Sequence, residues 1–347
     1  MDELQTHLLD ERAIRRQLSF NCRAVDRLDV DLWRSLWHPD SELDDEVRGV
    51  RGAALDLADR LTPDYASWAV HSHQVTSSAV EIDGDRAVSE TYVTAILRGH
   101  QNDAGEAVDD HHRLTYLDHW SKRDGRWAID RRRVTNGLSW HQVVTAGRVG
   151  RWTRRDREDP SYELFASLGG EDSAGFDTLM AEREIRGQLH NYCRAVDRFD
   201  VPLWRGVWHD DGTLDYGDVG ERGRAADMAE HMTLDHYPWA SHTHQSTSSI
   251  IAVRGDRAVS ETYSTNILLA RLSISDELID SHYRGRYLDT WSKRNGRWAI
   301  DHRRAVSDLG WDQVCIGGSV GLRAHRDRED PSYKLFASLL ATDLESA

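Results

Sequence analysis

Asp26 and His73 stand 47 residues apart, and so do Asp197 and His244. A carboxylate beside an imidazole is the outline of a general acid–base pair. The carboxylate binds one ring nitrogen and fixes the tautomer, and the other nitrogen takes or gives a proton. His71 and His242 precede the second member by two residues, so on one strand each His pair shares a face. A His-x-His pair with a carboxylate can also ligate Zn²⁺ or Fe²⁺, and His111 and His282 could add a third imidazole. No Cys cluster supports a metal, and a site with no metal and no cofactor is expected. Nucleophilic catalysis has less support. Cys22 and Cys193 fall on an apolar helical stripe, where small core residues belong. Neither a G-x-S-x-G elbow nor a glycine-rich phosphate loop occurs.

These residues come in pairs because the chain is written twice. CRAVDR occurs at 22–27 and 193–198, DRAVSETY at 85–92 and 256–263. WSKRDGRWAID at 120–130 returns as WSKRNGRWAID at 291–301, and REDPSYELFASL at 157–168 as REDPSYKLFASL at 328–339. The offset is 171 throughout, too long for a solenoid repeat and right for a duplicated domain. Copy one is expected at 1–168, a linker at 169–175 (GGEDSAG, small and polar), and copy two at 176–347.

In each copy helices precede strands. Ile14, Leu18, Cys22 and Val25 give helical spacing over about residues 11–27, which puts Asp26 at a helix end. Asp29 is a cap for a second helix carrying Leu32, Trp33, Leu36 and Trp37. A third helix is expected at 53–61, and at 225–234 in copy two. Gln74–Ile82, Arg86–Leu97, Arg113–Lys122 and Arg126–Val134 read as strands. Asp124-Gly125 and Asn295-Gly296 are favoured two-residue hairpin turns. Asp159-Pro160 and Asp330-Pro331 open a terminal helix. The fold class is α+β, with N-terminal helices packed on a mostly antiparallel sheet.

Composition narrows the function. A formal net charge of −15 argues against nucleic acid and against an anionic membrane surface. No apolar run is long enough to span a bilayer, and the first residues lack the pattern of a secretory signal. Three Cys make no disulfide framework, so a soluble, reduced, cytoplasmic protein is expected.

The order AVDR-x-D, LW-x-x-x-WH-x-D, H-x-x-[T/S]-[S/T], D-G-D-R-A and a late G-R-W-x-I strand resembles the SnoaL-like branch of the nuclear transport factor 2-like superfamily. That branch includes hexachlorocyclohexane dehydrochlorinase, scytalone dehydratase and bile-acid 7α-dehydratase. The resemblance covers about residues 10–140 and 181–311. It implies two tandem cone-shaped α+β barrels, each with an internal pocket. It implies an Asp–His dyad at Asp26 with His73 and at Asp197 with His244. It implies a late-strand arginine, Arg132 or Arg303, beside a developing negative charge. Where some of these dehydratases carry a tyrosine, copy two has Tyr192 and copy one has Asn21, which favours copy two as the complete site. Trp37 and Trp208 are pocket candidates beside Asn21, His71, His242, His111 and His282. The implied activity is a cofactor-independent lyase, a dehydratase or a related elimination, acting on a small apolar and cyclic metabolite. The alternatives are an isomerase, cyclase or retro-aldol lyase using the same dyad, and a non-catalytic binding or assembly protein. The two copies pairing within the chain, or a homo-oligomer, is the expected assembly.

Overall fold

The computed structural model describes residues 3–145, 147–170, 172–173, 175–217, 220–272, 277–314 and 325–342. Residues 171 and 174 of the expected linker, and the third cysteine, Cys315, lie outside them.

Copy one begins with α1 (Glu3–Asp26), longer than its apolar periodicity marks, then α2 (Val30–Ser35). Ile14, Leu18, Cys22 and Val25 are the buried stripe of α1, as their spacing requires. Leu28, at φ 51°, closes α1, and Asp29 caps α2 by accepting from the Leu32 amide at 3.0 Å. Next come β1 (Trp37–Asp45), β2 (Val50–Ala53), α3 (Ala54–Leu57) and α4 (Leu61–Ala66), with a 3-10 turn between the two short helices. Four long strands follow: β3 (Trp68–Asp83), β4 (Arg86–Gly99), β5 (Ala107–Arg123) and β6 (Arg126–Val144). A two-residue strand β7 (Arg148–Val149) and helix α5 (Pro160–Ser167) end the unit.

Copy two repeats the plan with α6 (Phe176–Asp197), α7 (Val201–Gly206), β8 (Trp208–Asp215), β9 (Arg222–Arg224), α8 (Ala225–Met228) and α9 (His231–His236). Its long strands are β10 (Ser241–Arg254), β11 (Arg257–Leu272), β12 (Leu278–Arg294) and β13 (Arg297–Val314), and α10 (Pro331–Thr342) follows.

The sheets run β2-β1-β6-β5-β4-β3 and β10-β11-β12-β13-β8-β9. They are mixed: β1 pairs parallel with β6, and β8 parallel with β13, while the remaining pairs are antiparallel. Both hairpin turns form as their residues predict, with Asp124 and Gly125 at φ 51° and 77° and Asn295 and Gly296 at 52° and 79°. Trp37, expected on the second helix, starts β1 instead. The segment it opens, HPDSELDD, is too polar to announce a strand, and only its place on the edge of β6 makes it one. The third helix divides into two short ones in each copy. Inside each cone the first helix closes on the concave sheet face. Trp33, Trp37, Trp120 and Trp127 lie in one core, and Trp204, Trp208, Trp291 and Trp298 in the other. Among the described residues no helix is long and apolar enough to cross a membrane.

The copies touch. Strand β7, from the segment that trails copy one, adds to β13 of copy two, with Val149 opposite Leu309. Helix α5 lies on the outer face of copy two, where Leu164, Phe165 and Leu168 meet Ala252 and Val259. Arg286 of copy two binds Asp159, Glu261 and Asp308 with N–O distances of 2.9–3.1 Å, and Arg27 of copy one reaches both Asp159 and Glu261.

Candidate active site

The last turn of α1 delivers Asp26 to the start of β3. A helix C-terminus is electrostatically hostile to a carboxylate, so other donors must hold it. The backbone N–H of His73 donates to both carboxylate oxygens, at 3.1 and 3.0 Å. The ring Nδ1 of His73 lies 2.7 Å from Oδ1, and that of His71 3.3 Å. Burial alone would raise the pKa of Asp26, but the hydrogen bonds from His71 and His73 outweigh it and hold the group well below the carboxylate range. With Nδ1 committed, the Nε2 of His73 is the atom left for proton transfer. Burial pushes His71 down to about 4, so its ring is neutral near pH 7.

Copy two builds the same clamp with one change. The His244 amide donates to both oxygens of Asp197 at 3.0 and 3.1 Å, and its Nδ1 lies 2.8 Å from Oδ1. His242, however, turns its Nε2 to the carbonyl of Val196 at 3.1 Å and stands 3.9 Å from Asp197. Burial, reinforced by His236, pushes it down to about 3.

His244 lines a cavity of about 470 Å³ inside the second cone, with Tyr192, Trp204, Tyr216, His236, Asn266 and Tyr287. The hydroxyls of Tyr192 and Tyr216 are 2.6 Å apart. Arg303 lies between two rings, 4.1 Å from the centroid of Tyr192 and 4.2 Å from that of Tyr287. Its guanidinium is held by Asp289 at 2.7 and 2.8 Å, and among the described residues its Nη1 closes no hydrogen bond. Burial raises both phenols, and Arg303 opposes that rise. A phenol beside a fixed cation can give up a proton and take it back.

The equivalent positions of copy one are furnished differently. Arg132 is held by Asp118 at 2.7 and 2.8 Å, but its Nη1 donates to Asn21 at 2.8 Å. Asp45 stands where copy two has Tyr216, Tyr65 where it has His236, and Ala95 where it has Asn266. Leu114, a core residue, fills the place of Gly285. A Cβ at Gly285 would meet the Val306 carbonyl at 2.4 Å, so copy two holds this bulge with a closer backbone approach than copy one, which carries Leu114 at the same bulge.

Several expected residues lie apart from the dyads. His111 and His282 sit on the outer sheet faces, stacked on Trp140 at 4.6 Å and on Trp311 at 4.8 Å, and the edge of His111 meets Trp311 at 5.8 Å. They join neither Asp–His pair, because their β5 and β12 positions face the contact between copies. Trp37 and Trp208 stand behind Arg132 and Arg303, at 5.5 and 5.6 Å, and it is Trp204 that lines the cavity. Asp26, His71 and His73, and likewise Asp197, His242 and His244, bring three ligand atoms within 4.8 Å of one another. A cation in either trio would have to displace the ring protons now bonded to the carboxylate or carbonyl. Tyr216, His236, Asn266 and the paired Asp118 and Asp289 were not evident from sequence. The signal for the first three was the difference between the copies at those positions.

A search of curated proteins found no match. Among solved structures, hexachlorocyclohexane dehydrochlorinase LinA-type3 from Novosphingobium barchaimii LL02 is 21% identical, covering 41% of this chain and 94% of its own, with a TM-score of 0.34. A protein of Novosphingobium aromaticivorans DSM 12444, provisionally named a scytalone dehydratase, is 20% identical over 39% of this chain and 89% of its own, at a TM-score of 0.34. A Nostoc punctiforme PCC 73102 protein of unknown function with a cystatin-like fold is 22% identical over 40% and 96%, at 0.32. These are likenesses of fold. Residues 6–133 and 177–304 each match the SnoaL-like domain, so the chain belongs to that family and carries its domain twice.

Proposed function

We propose that copy two is a cofactor-independent lyase that eliminates water, or another small leaving group, from a small and largely apolar cyclic metabolite. The observation that carries this reading is His244, whose Nδ1 and amide are both fixed on Asp197 while the residue faces the cavity that holds the Tyr192–Tyr216 pair. Nε2 of His244 removes a proton from a carbon next to an activating group. The electron pair of that C–H bond forms the double bond, and the adjacent C–O bond breaks. A phenol proton from Tyr192 or Tyr216 completes the departing water. Asp197 and Arg303 carry the transient positive and negative charges. The imidazolium then returns its proton to the phenolate. In copy one, Asn21 occupies the arginine and Leu114 the pocket, so its dyad is a buried structural pair.

Product masses from a panel of β-hydroxy carbonyls and halogenated rings, with EDTA present, test this. The wild type and His73→Ala should show loss of water or acid. His244→Ala should lose about 10²–10⁴-fold of that rate. An unchanged product mass with a changed structure would move the reading to isomerisation by the same dyad. Full turnover by His244→Ala would end it.

A further inference from the structure

The contact between the two copies runs in one direction. Copy one contributes α1, the Gln74 end of β3 and the trailing segment with α5. Copy two contributes β10, the outer face of β11–β13 and the start of α6, where Glu182 accepts from Arg12 at 2.7 Å. Gln74 is fully buried: its amide donates to the Ser264 carbonyl at 3.2 Å, and its oxygen accepts from Thr247 and Thr265 at 3.1 and 2.8 Å. Arg23 and Arg27 both bind Glu261. Under this cover Val259, Tyr263 and Leu288 are 2%, 0% and 3% exposed.

Among the described residues the reciprocal contact is not made. Val88, Tyr92 and Leu117 occupy the same positions on copy one and are 44%, 50% and 40% exposed, with exposed Glu90 among them. On copy two, Gln245 stands where copy one has Gln74 and is exposed. Arg194 and Arg198 repeat Arg23 and Arg27, Arg198 pairing with Asp330 at 3.0 Å as Arg27 pairs with Asp159, and both line a cavity of about 640 Å³ with Gln245, Asp197, His244 and, from copy one, Thr76. The segment REDPSYKLFASL repeats the one that covers copy two. Each chain therefore leaves the Val88, Tyr92 and Leu117 part of the receiving face exposed on copy one, and Gln245 exposed on the matching surface of copy two.

We infer that these two surfaces bind each other between chains: the copy-one sheet face of a second molecule of this protein docks on the α6–β10 surface of the first. The charges match, since Glu90 meets Arg194 and Arg198 as Glu261 meets Arg23 and Arg27. The apolar strip of Val88, Tyr92 and Leu117 loses its water. Thr94, which accepts from Arg284 within the chain, keeps a hydroxyl proton for the Gln245 oxygen. A head-to-tail contact of this kind repeats from chain to chain, into a ring where the rotation closes and into a filament where it does not. Docking also shuts the opening behind Asp197 and His244, as copy two already shuts it behind Asp26 and His73, which are 1% and 3% exposed. The inference stands whether or not the dyad turns over a substrate.

Sedimentation of the full chain from 1 to about 100 µM tests it. The wild type should sediment as a multiple of one chain. Glu90→Arg on one face and Gln245→Lys on the other should each weaken association at least tenfold. Both positions are exposed, so both variants should keep the wild-type melting temperature. Mixing Glu90→Arg with Arg198→Glu should restore association between unlike chains. A wild type that stays at one-chain mass throughout, or association that survives both single variants, overturns the inference.

Discussion

A buried imidazole beside a buried carboxylate has two ways to be satisfied, and the two copies differ in which they use. His71 shares the Asp26 carboxylate with His73, while His242 leaves Asp197 to His244 and takes a carbonyl instead. Both extra rings are depressed by burial, to about 4 and about 3, against an ordinary value near 6.5. The folded protein keeps them neutral where the unfolded chain protonates them. Their contribution to stability is therefore complete above about pH 6.5 and is lost as pH falls toward 4, at up to about 1.4 kcal/mol per unit for each ring. Urea midpoints across pH 7 to 4 should fall steeply for the wild type, and the slope should flatten in His71→Asn/His242→Asn. An unchanged slope would mean that these rings are protonated in the folded state. The dyads themselves were legible in the sequence through the family resemblance, which pairs the helix-end Asp26 and Asp197 with the strand residues His73 and His244. The furnishings were not. Tyr216, His236 and Gly285 matter because Asp45, Tyr65 and Leu114 replace them, and no local pattern says that those positions face one cavity.

Elements explain what the duplication does to the fold. The hairpins, the long strands and the capped terminal helices follow from turn residues and alternation, which act locally. Strand β1 and the parallel β1–β6 pairing escaped because a polar segment becomes a strand only when an edge accepts it. The destination of α5 was equally hidden. REDPSY-[E/K]-LFASL occurs twice, yet only the first occurrence meets Arg286, because copy one carries Thr115 at that position. Identical segments should therefore differ in energetic weight. Asp159 caps α5 and also pairs with Arg286 and Arg27, whereas Asp330 caps α10 and pairs with Arg198, whose side chain is 28% exposed. Removing one partner of a fully buried ion network costs about 3–5 kcal/mol. Loss of a cap with a partly exposed pair costs about 1–2 kcal/mol. Chemical denaturation of Asp159→Ala and Asp330→Ala should show that gap, and equal losses would mean that Arg286 is satisfied by Glu261 and Asp308 alone.

At the scale of the whole molecule, the ion network decides whether two domains behave as one. Arg23, Arg27 and Asp159 come from copy one, and Glu261, Arg286 and Asp308 from copy two. If either copy unfolds alone, it strands charges of the other in a buried face, which couples the two transitions. Calorimetry at neutral pH should then show one cooperative peak. Asp159 and Glu261 are raised by burial, but their arginine partners outweigh that and leave both below the ordinary carboxylate range. Groups depressed in this way stabilise the fold above about pH 4, where the unfolded carboxylates are also ionised, and that stabilisation is lost as pH falls further. Acid should therefore separate the copies before it unfolds both: the single peak should split below about pH 4. Glu261→Gln should split it at neutral pH, because three buried guanidinium groups lose a shared anion at once. One unsplit peak in both conditions would place the coupling in the Val70, Ile96, Val144, Leu309 and Trp311 contact instead, where the copies share a small apolar core that no change of charge can weaken.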